Sequence, residues 1–390
     1  MTTPAPLRPS AFGAFAAPFH DPRGNPTQQL RRDIDLAVHL DELGFDELWY
    51  GEHHSAAYEI IGSPEVMIAA AAERTSRLRL GTGVNSVPYH NPYLLADRIV
   101  QLDHLSRGRV MLGIGPGQLP SDAFMMGLDP RNQRDMMIEA TEVIVPLLRG
   151  EVVTAKGSWF TLDEARLQLP AYNPGGIEVA VASTVSPTGA TLAGRLGLSM
   201  LSVAATDPRG FDALGTNWGV LERVAAEHGQ TSDRSRWRVV APMHLAETRE
   251  QARAEVAAGI LTLCGYMEGL GGRKLPWTSS PEAAIDQWTT GGFPTFGVAT
   301  IGTPDDAIAT IERLVGRSGG FGTFLLLAHN CASWSATKRS YELFSEYVIP
   351  AVRGLNDQRL ASLRWAGDNS ERFLGAMSQA TAEALAKYPT

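Results

Sequence analysis

The sequence predicts an α/β chain folded as a TIM (β/α)8 barrel with insertion loops, and three observations carry that prediction. Strand-like and helix-like segments alternate almost throughout. The strand-like segments number eight. They read as continuous apolar runs, the pattern of parallel strands covered on both faces. A doubly wound open sheet is the alternative, and eight units favour closure.

The first apolar strand is expected at 11–17. A helix follows from about Thr27 to Leu43, where Leu30, Ile34, Ala37, Val38 and Leu40 recur at helical spacing and Gly44 closes the last turn. FDELWYG (45–51) reads as a strand running into a loop. Ser63-Pro64 starts the next helix, with serine as cap and proline in the first turn. Strand 78–86, a helix opening at Asn91-Pro92 and strand 109–115 come next, then a longer loop and a helix from about Arg131 to Leu148. Strands 177–183 and 198–205 enclose a helix at 187–197. Beyond Pro208 the order is a long helix, strand 237–247, another helix and Gly/Pro/Trp-rich irregular sequence near 270–300. A helix from Thr303-Pro304, strand 323–328 and a terminal helix finish the chain.

The expected organisation is one domain over 11–355, with residues 1–10 as a disordered lead and 356–390 as a C-terminal helical extension. Insertions stand at about 149–176 and 264–302. Loops this long in a compact domain are usually functional lids, so both are expected where substrate could be enclosed.

Hydrophobic residues make up 44% and charged residues 19% of the chain, which suits a large buried core. The longest apolar runs are too short to cross a bilayer, and the first residues lack the apolar core of a signal peptide. Cys264 and Cys331 are too few for a disulfide framework or a zinc ribbon. The reading is a cytoplasmic protein without a membrane partner. A net charge of −8 argues against nucleic acid, which needs an electropositive face. It leaves room for a small phosphorylated cofactor, because one helix N-terminus with a few hydroxyls can hold a single phosphate.

In such a barrel the active site lies at the C-terminal ends of the strands. Three ends stand out. Glu52-His53-His54 follows the second strand, and strand alternation allows only one of the two histidines to face the mouth. A histidine beside a carboxylate is a proton donor or acceptor near neutral pH; the plain alternative is a hydrogen-bonded histidine pair in a loop. Gly83, Val84 and Asn85 end the third strand, where glycine permits close approach by a flat ligand or forms an ordinary turn. Gly113-Ile114-Gly115-Pro116-Gly117 ends the fourth. Ser183, Thr184, Val185, Ser186, Pro187 and Thr188 end the fifth and run into a helix. They form an N-cap that offers hydroxyls and free N–H groups to an anion, or a cap that holds nothing.

Other features are less directed. Met125, Met126, Met136 and Met137 could line an apolar pocket or simply fill core, and Trp49, Trp159 and Trp277 could flank a ring or bury area. The first strand has no His-x-His and no helix carries His-Glu-x-x-His, which disfavours a metal hydrolase. No Gly-x-Ser-x-Gly elbow, Walker loop or dinucleotide fingerprint is present.

Together GFDELWYGEHHS (44–55), LRLGTGVNSVPYHNP (78–92), QLDHLSRGRVMLGIGPG (101–117), ASTVSPTG (182–189) and GTPDDAIATIERL (302–314) resemble the bacterial luciferase-like flavin-dependent monooxygenases. GPGQLPSDAFMMGLDP (115–130) resembles their limonene monooxygenase-like branch. The resemblance implies reduced FMN and O₂ as reactants, a flavin hydroperoxide, and a small apolar substrate such as a terpene-like olefin or a ketone. It implies a homodimer; a separate flavin reductase is expected because the chain shows no second nucleotide-binding unit, and no metal is expected from its motifs. His53 matches the family's catalytic histidine, with Glu52 and His54 beside it. Gly83-Val84 falls where the family often has a non-proline cis peptide. Ser183 to Thr188 match the phosphate loop and 264–302 the mobile lid. The luciferases themselves carry cysteine and a phosphate-binding arginine where this chain has Gly115 and Pro116, so charge compensation must come from elsewhere. An F420-dependent oxidoreductase of the same barrel family and a non-catalytic flavin-binding accessory protein are the rival readings.

Overall fold

Apolar runs of four to eight residues become parallel strands because each buries both faces, one against helices and one inside a closed ring. The computed structural model describes residues 6–17, 19–203 and 205–387. In chain order the strands are β1 (Ala11–Ala16), β2 (Glu47–Tyr50), β3 (Arg79–Thr82), β4 (Asn85–Ser86), β5 (Val110–Gly115), β6 (Val153–Lys156), β7 (Thr161–Ala165), β8 (Glu178–Ser183), β9 (Ser199–Ser202), β10 (Arg238–Leu245), β11 (Thr300–Gly302) and β12 (Thr323–Ala328). Pairing runs β10-β12-β1-β2-β3-β5-β8-β9 and returns to β10, closing an eight-stranded parallel barrel. Closure is made where Arg238 and Val239 pair with Leu201 and Ser202.

Side-chain alternation sorts each strand between two cores. Outward residues such as Phe12, Leu48, Leu80 and Leu112 pack with the helical layer. Inward, Phe15, Trp49, Met111, Ala180, Leu201, Val240, Leu325 and Leu327 fill the barrel. Trp49 takes the largest share of that interior, and Gly81 and Gly113 leave the room for it. A Cβ on Gly81 would lie 2.4 Å from Trp49 Cε3, and one on Gly113 would lie 3.1 Å from Cζ3.

Charged residues at the strand starts close the opposite end. Arg238 donates to Glu47 Oε1 and Glu178 Oε1, each at 2.7 Å, and Trp49 Nε1 donates to Glu47 Oε2 at 2.9 Å. Burial opposes the charge on Glu178, yet Arg238 and Arg79 hold its carboxyl well below the usual range. With the floor plugged, access is from the C-terminal mouth.

The structure departs from the sequence expectations in four places. The strand expected at 78–86 breaks at Gly83–Val84, whose peptide bond is cis, into β3 and β4. The 149–176 insertion holds the antiparallel β6–β7 hairpin, and it does not enclose the mouth. Phe160 and Leu162 pack into the helical core, and Trp159 Nε1 donates to the His90 carbonyl at 3.2 Å, so the hairpin is bound to the outer layer. The stretch expected as irregular near 270–300 contains a Pro281–Thr290 helix, capped where Ala283 N–H donates to Ser280 Oγ at 3.2 Å. Finally, the fifth-strand helix begins at Thr188, so Pro187 occupies the cap rather than the first turn.

Of the lead expected at 1–10, residues 1–5 lie outside the described residues, and Leu7 forms a backbone bridge with Gly320. The Asp357–Asp368 and Ser370–Lys387 helices bury no residue. Among the described residues no helix is long and apolar enough to cross a membrane.

Candidate active site

The barrel mouth opens into a cavity of about 450 Å³, within the range of small-ligand sites. Its wall is built from the strand ends in order around the ring: Phe15 and Ala17 at the end of β1, Glu52 and His53 after β2, Gly83 and Val84 between β3 and β4, Gly115 to Leu119 at the end of β5, Ser183 to Ser186 at the end of β8, Val203 just after β9, and Val240 and Leu327 within β10 and β12. Tyr266, Leu270, Thr295 and Phe296 of the second insertion complete it.

His53 lines this cavity and His54 does not, so one histidine of the pair faces the mouth. The His53 ring stands between two carboxylates. Nδ1 is 3.4 Å from Asp122 Oδ2, and Nε2 is 3.4 Å from Glu59 Oε2. Burial alone would disfavour the imidazolium; the Glu59 charge and the Asp122 hydrogen bond outweigh it and raise the His53 pKa above 6.5. Asp122 is itself held by the His54 backbone N–H at 3.2 Å and by the Ser55 hydroxyl. Glu59 accepts from the Tyr266 hydroxyl at 2.7 Å.

Glu52 has a different setting. His90 Nε2 and His54 Nε2 donate to its Oε1 at 2.8 and 3.0 Å, and Ser86 N–H donates to Oε2 at 2.7 Å. Burial opposes this charge, but the two histidines and the backbone donor lower the pKa from 4.5 to about 2. Glu52 therefore ties the segment after the cis peptide to the end of β2. Asn85, behind the wall, is fully buried, and its Oδ1 has no partner among the described residues.

The far side of the cavity carries hydroxyls at a helix start. Ser186 Oγ accepts from Thr188 N–H at 3.3 Å at the start of the Thr188–Leu196 helix, and its hydroxyl lies 2.8 Å from Thr188 Oγ1. The buried Asn217 amide fixes the loop by donating to the Thr184 carbonyl at 3.0 Å. Two arginines also line the cavity. Arg209 is 3.6 Å from Asp207 Oδ1, whereas Arg134 has no carboxylate partner among the described residues. Between these ends lies a floor of small residues. A Cβ on Gly115 would come within 2.6 Å of Val84 Cγ2, and Gly117 has a left-handed φ of 86°.

Of the residues singled out from the sequence, Glu52, His53, Gly83, Val84, Gly115, Gly117, Ser183, Thr184, Val185, Ser186 and Thr188 line one cavity. His54 and Asn85 stand outside its lining. Among the methionines Met137 alone is a lining residue, and Trp49, Trp159 and Trp277 are not. The sequence alone does not single out Glu59, which a short loop turns back onto His53, Asp122 and Tyr266, which come from distant positions to His53 and Glu59 respectively, or Arg134 and Arg209, which look like ordinary surface cations in the linear chain.

The family described as luciferase-like monooxygenase matches residues 10–320. Limonene 1,2-monooxygenase of Rhodococcus erythropolis is 47% identical over 378 residues, spanning 96% of this chain and 95% of its own. 4-Hydroxyprotoasukamycin monooxygenase of Streptomyces nodosus subsp. asukaensis is 42% identical, spanning 92% and 97%. Among solved structures, a type II Baeyer-Villiger monooxygenase in complex with FMN, the oxygenating constituent of 3,6-diketocamphane monooxygenase from Pseudomonas putida, superposes with a TM-score of 0.71 at 28% identity over 87% of this chain and 98% of its own.

Proposed function

Because the chain belongs to the luciferase-like monooxygenase family, we propose that its barrel mouth binds reduced FMN and that the enzyme oxygenates a small apolar organic molecule, a terpene-like olefin or a ketone, with O₂. The residues present suit that cofactor. The glycine-rich floor lets a flat ring approach the backbone, and the Thr188 helix start with Ser186, Arg134 and Arg209 suits a phosphate. The arginines answer the charge deficit left by Gly115 and Pro116.

Bound reduced FMN would supply the electrons that let O₂ deliver one atom to substrate and release the other as water. The chain's own part is binding, orientation, exclusion of water and proton movement. Gly83, Val84 and Gly115 seat the ring. Phe15, Val203, Val240, Phe296 and Leu327 offer an apolar wall that lacks hydrogen-bonding side chains, which favours a hydrocarbon-rich substrate. The second insertion shields the mouth from water. His53 holds and moves the proton, with Glu59 and Asp122 supporting its charged form. Glu52 positions the floor.

A separate flavin reductase would supply the reduced cofactor; the FMN-bound neighbour is likewise described as the oxygenating constituent of its system. We place the enzyme in the cytoplasm and expect a homodimer, in line with the composition and the family resemblance. The observation that carries the reading is that His53, the glycines of the floor and the hydroxyl-bearing loop at the Thr188 helix start all line one cavity. Turnover under ¹⁸O₂ with chemically reduced FMN and a panel of terpenes and ketones tests it. One labelled oxygen in the product is expected, and consumption of O₂ without labelled product from any of them counts against it.

A further inference from the structure

Resting on that reading of His53, we propose that Tyr266 is a positioning residue for His53 that acts through Glu59 and thereby links the packing of the mouth-covering insertion to the proton-transfer group. Tyr266 lies on the Ile260–Gly271 helix, and its hydroxyl donates to Glu59 Oε1 at 2.7 Å. The other oxygen of the same carboxylate is 3.4 Å from His53 Nε2. One rigid carboxylate thus spans the helix and the histidine, with each oxygen committed to one side.

The surroundings fix this geometry from both ends. The buried Tyr266 ring packs against Phe19 and Tyr58, with centroids 5.4 and 5.0 Å away. Tyr58 immediately precedes Glu59, so the same helix holds both the side chain and its backbone. The loop entering Glu59 is held in an unusual shape, with Ala56 and Ala57 both at a left-handed φ of 67°. His20 N–H donates to the Tyr58 carbonyl at 2.8 Å and anchors that loop to the barrel. Across the ring Asp122 is supported by Ser55 and the His54 backbone, independently of the insertion. Glu59 is therefore the carboxylate whose aim at His53 depends on the insertion, and Asp122 is the one whose aim does not.

The charged and titratable groups facing His53 are Glu59, Asp122, Glu52 and His54, with the Tyr266 hydroxyl behind Glu59. If Tyr266 acts through Glu59, its effect on His53 must vanish when Glu59 carries no charge. A double-mutant cycle reads this directly. The His53 ring is titrated by NMR in the full-length, substrate-free protein with ¹⁵N-histidine, in wild type, Y266F, E59Q and the double variant, and pH–rate profiles are recorded on the same set. E59Q is expected to weaken proton binding at His53 by about tenfold or more. Y266F is expected to change it by at least about twofold when Glu59 is present, and to leave it unchanged in the E59Q background.

A Y266F effect of equal size in both backgrounds, or no effect with Glu59 in place, overturns the proposal. Should Y266F fail to fold, 3-fluorotyrosine at position 266 keeps ring size while strengthening the donor; an unmoved His53 titration there also overturns it. The titration requires no turnover. Absence of labelled product under ¹⁸O₂ therefore removes the oxygenase reading, whereas normal oxygenation with an additive cycle removes only the role of Tyr266.

Discussion

Glu52 Oε1 and His90 Nε2 stand 2.8 Å apart, and Arg98 Nη2 approaches the other ring nitrogen of His90 at 3.1 Å. Arginine can only donate, so His90 Nδ1 accepts and its Nε2–H is directed at Glu52. The carboxylate nearest the histidine pair in sequence is thus engaged as a structural acceptor, in keeping with the proposal that His53 moves the proton.

Glu52→Gln is accordingly expected to act on stability first. A carboxyl whose pKa falls from 4.5 to about 2 on folding contributes about 3 kcal/mol, fully present above pH 4.5 and lost as the pH drops through 2. Urea unfolding across that window should show the variant well below wild type at neutral pH, with the gap closing toward pH 2. A constant gap would assign Glu52 another role.

His53→Ala should leave FMN binding within a few-fold and reduce product formation at least about a hundredfold, the usual scale of acid–base loss. The pH dependence follows from the raised His53 pKa. Stabilisation from its protonated form is fully present below 6.5 and disappears as pH rises through the higher folded value. The stability difference between wild type and variant should therefore shrink at alkaline pH, as thermal unfolding would record.

Much of the fold was legible because each barrel strand is short, apolar and bounded by turn signals. The β6–β7 hairpin was not: β6 alternates only between half-buried and exposed, β7 buries Leu162 alone, and Glu164 takes a left-handed φ of 45° that no local signal announces. The Pro281–Thr290 helix carried a usable signal in Ser280-Pro281, obscured by the glycines and tryptophan around it. At the site, strand alternation admitted only one of His53 and His54 to the mouth, and the family resemblance pointed to His53. Asp122 and Tyr266 were not legible, since side chains 69 and 207 residues from their partners in the chain meet only once the strands pair, and Glu59, though close to His53 in sequence, follows a loop whose shape carries no periodic signal.

Arg134→Ala is expected to weaken FMN binding about tenfold, the scale of one charge-assisted hydrogen bond, and to lower its dependence on salt. Arg209→Ala should have the smaller effect, because Asp207 already offsets part of that charge. Fluorescence-quenching titrations at two salt concentrations separate them. Equal losses would contradict the assignment of Arg134 as the principal counter-charge.

Two glycine substitutions should divide folding from binding. Gly81→Ala forces a Cβ against Trp49 in the barrel interior and is expected to cost about 1–3 kcal/mol of stability. Gly115→Ala meets Cγ2 of Val84, a stiff β-branched side chain that itself lines the cavity, so displacing it should lower FMN affinity, an effect Gly81→Ala should lack. The pair is checked by denaturant curves and flavin titration on both variants.

The most direct test of the whole account is a crystal structure of the protein soaked with FMN. The isoalloxazine is expected over Gly83 and Val84, the phosphate at the Thr188 helix start near Arg134, and the His53 imidazole turned toward the ring within hydrogen-bonding reach. A flavin bound elsewhere, or His53 facing away from the ring, would contradict it.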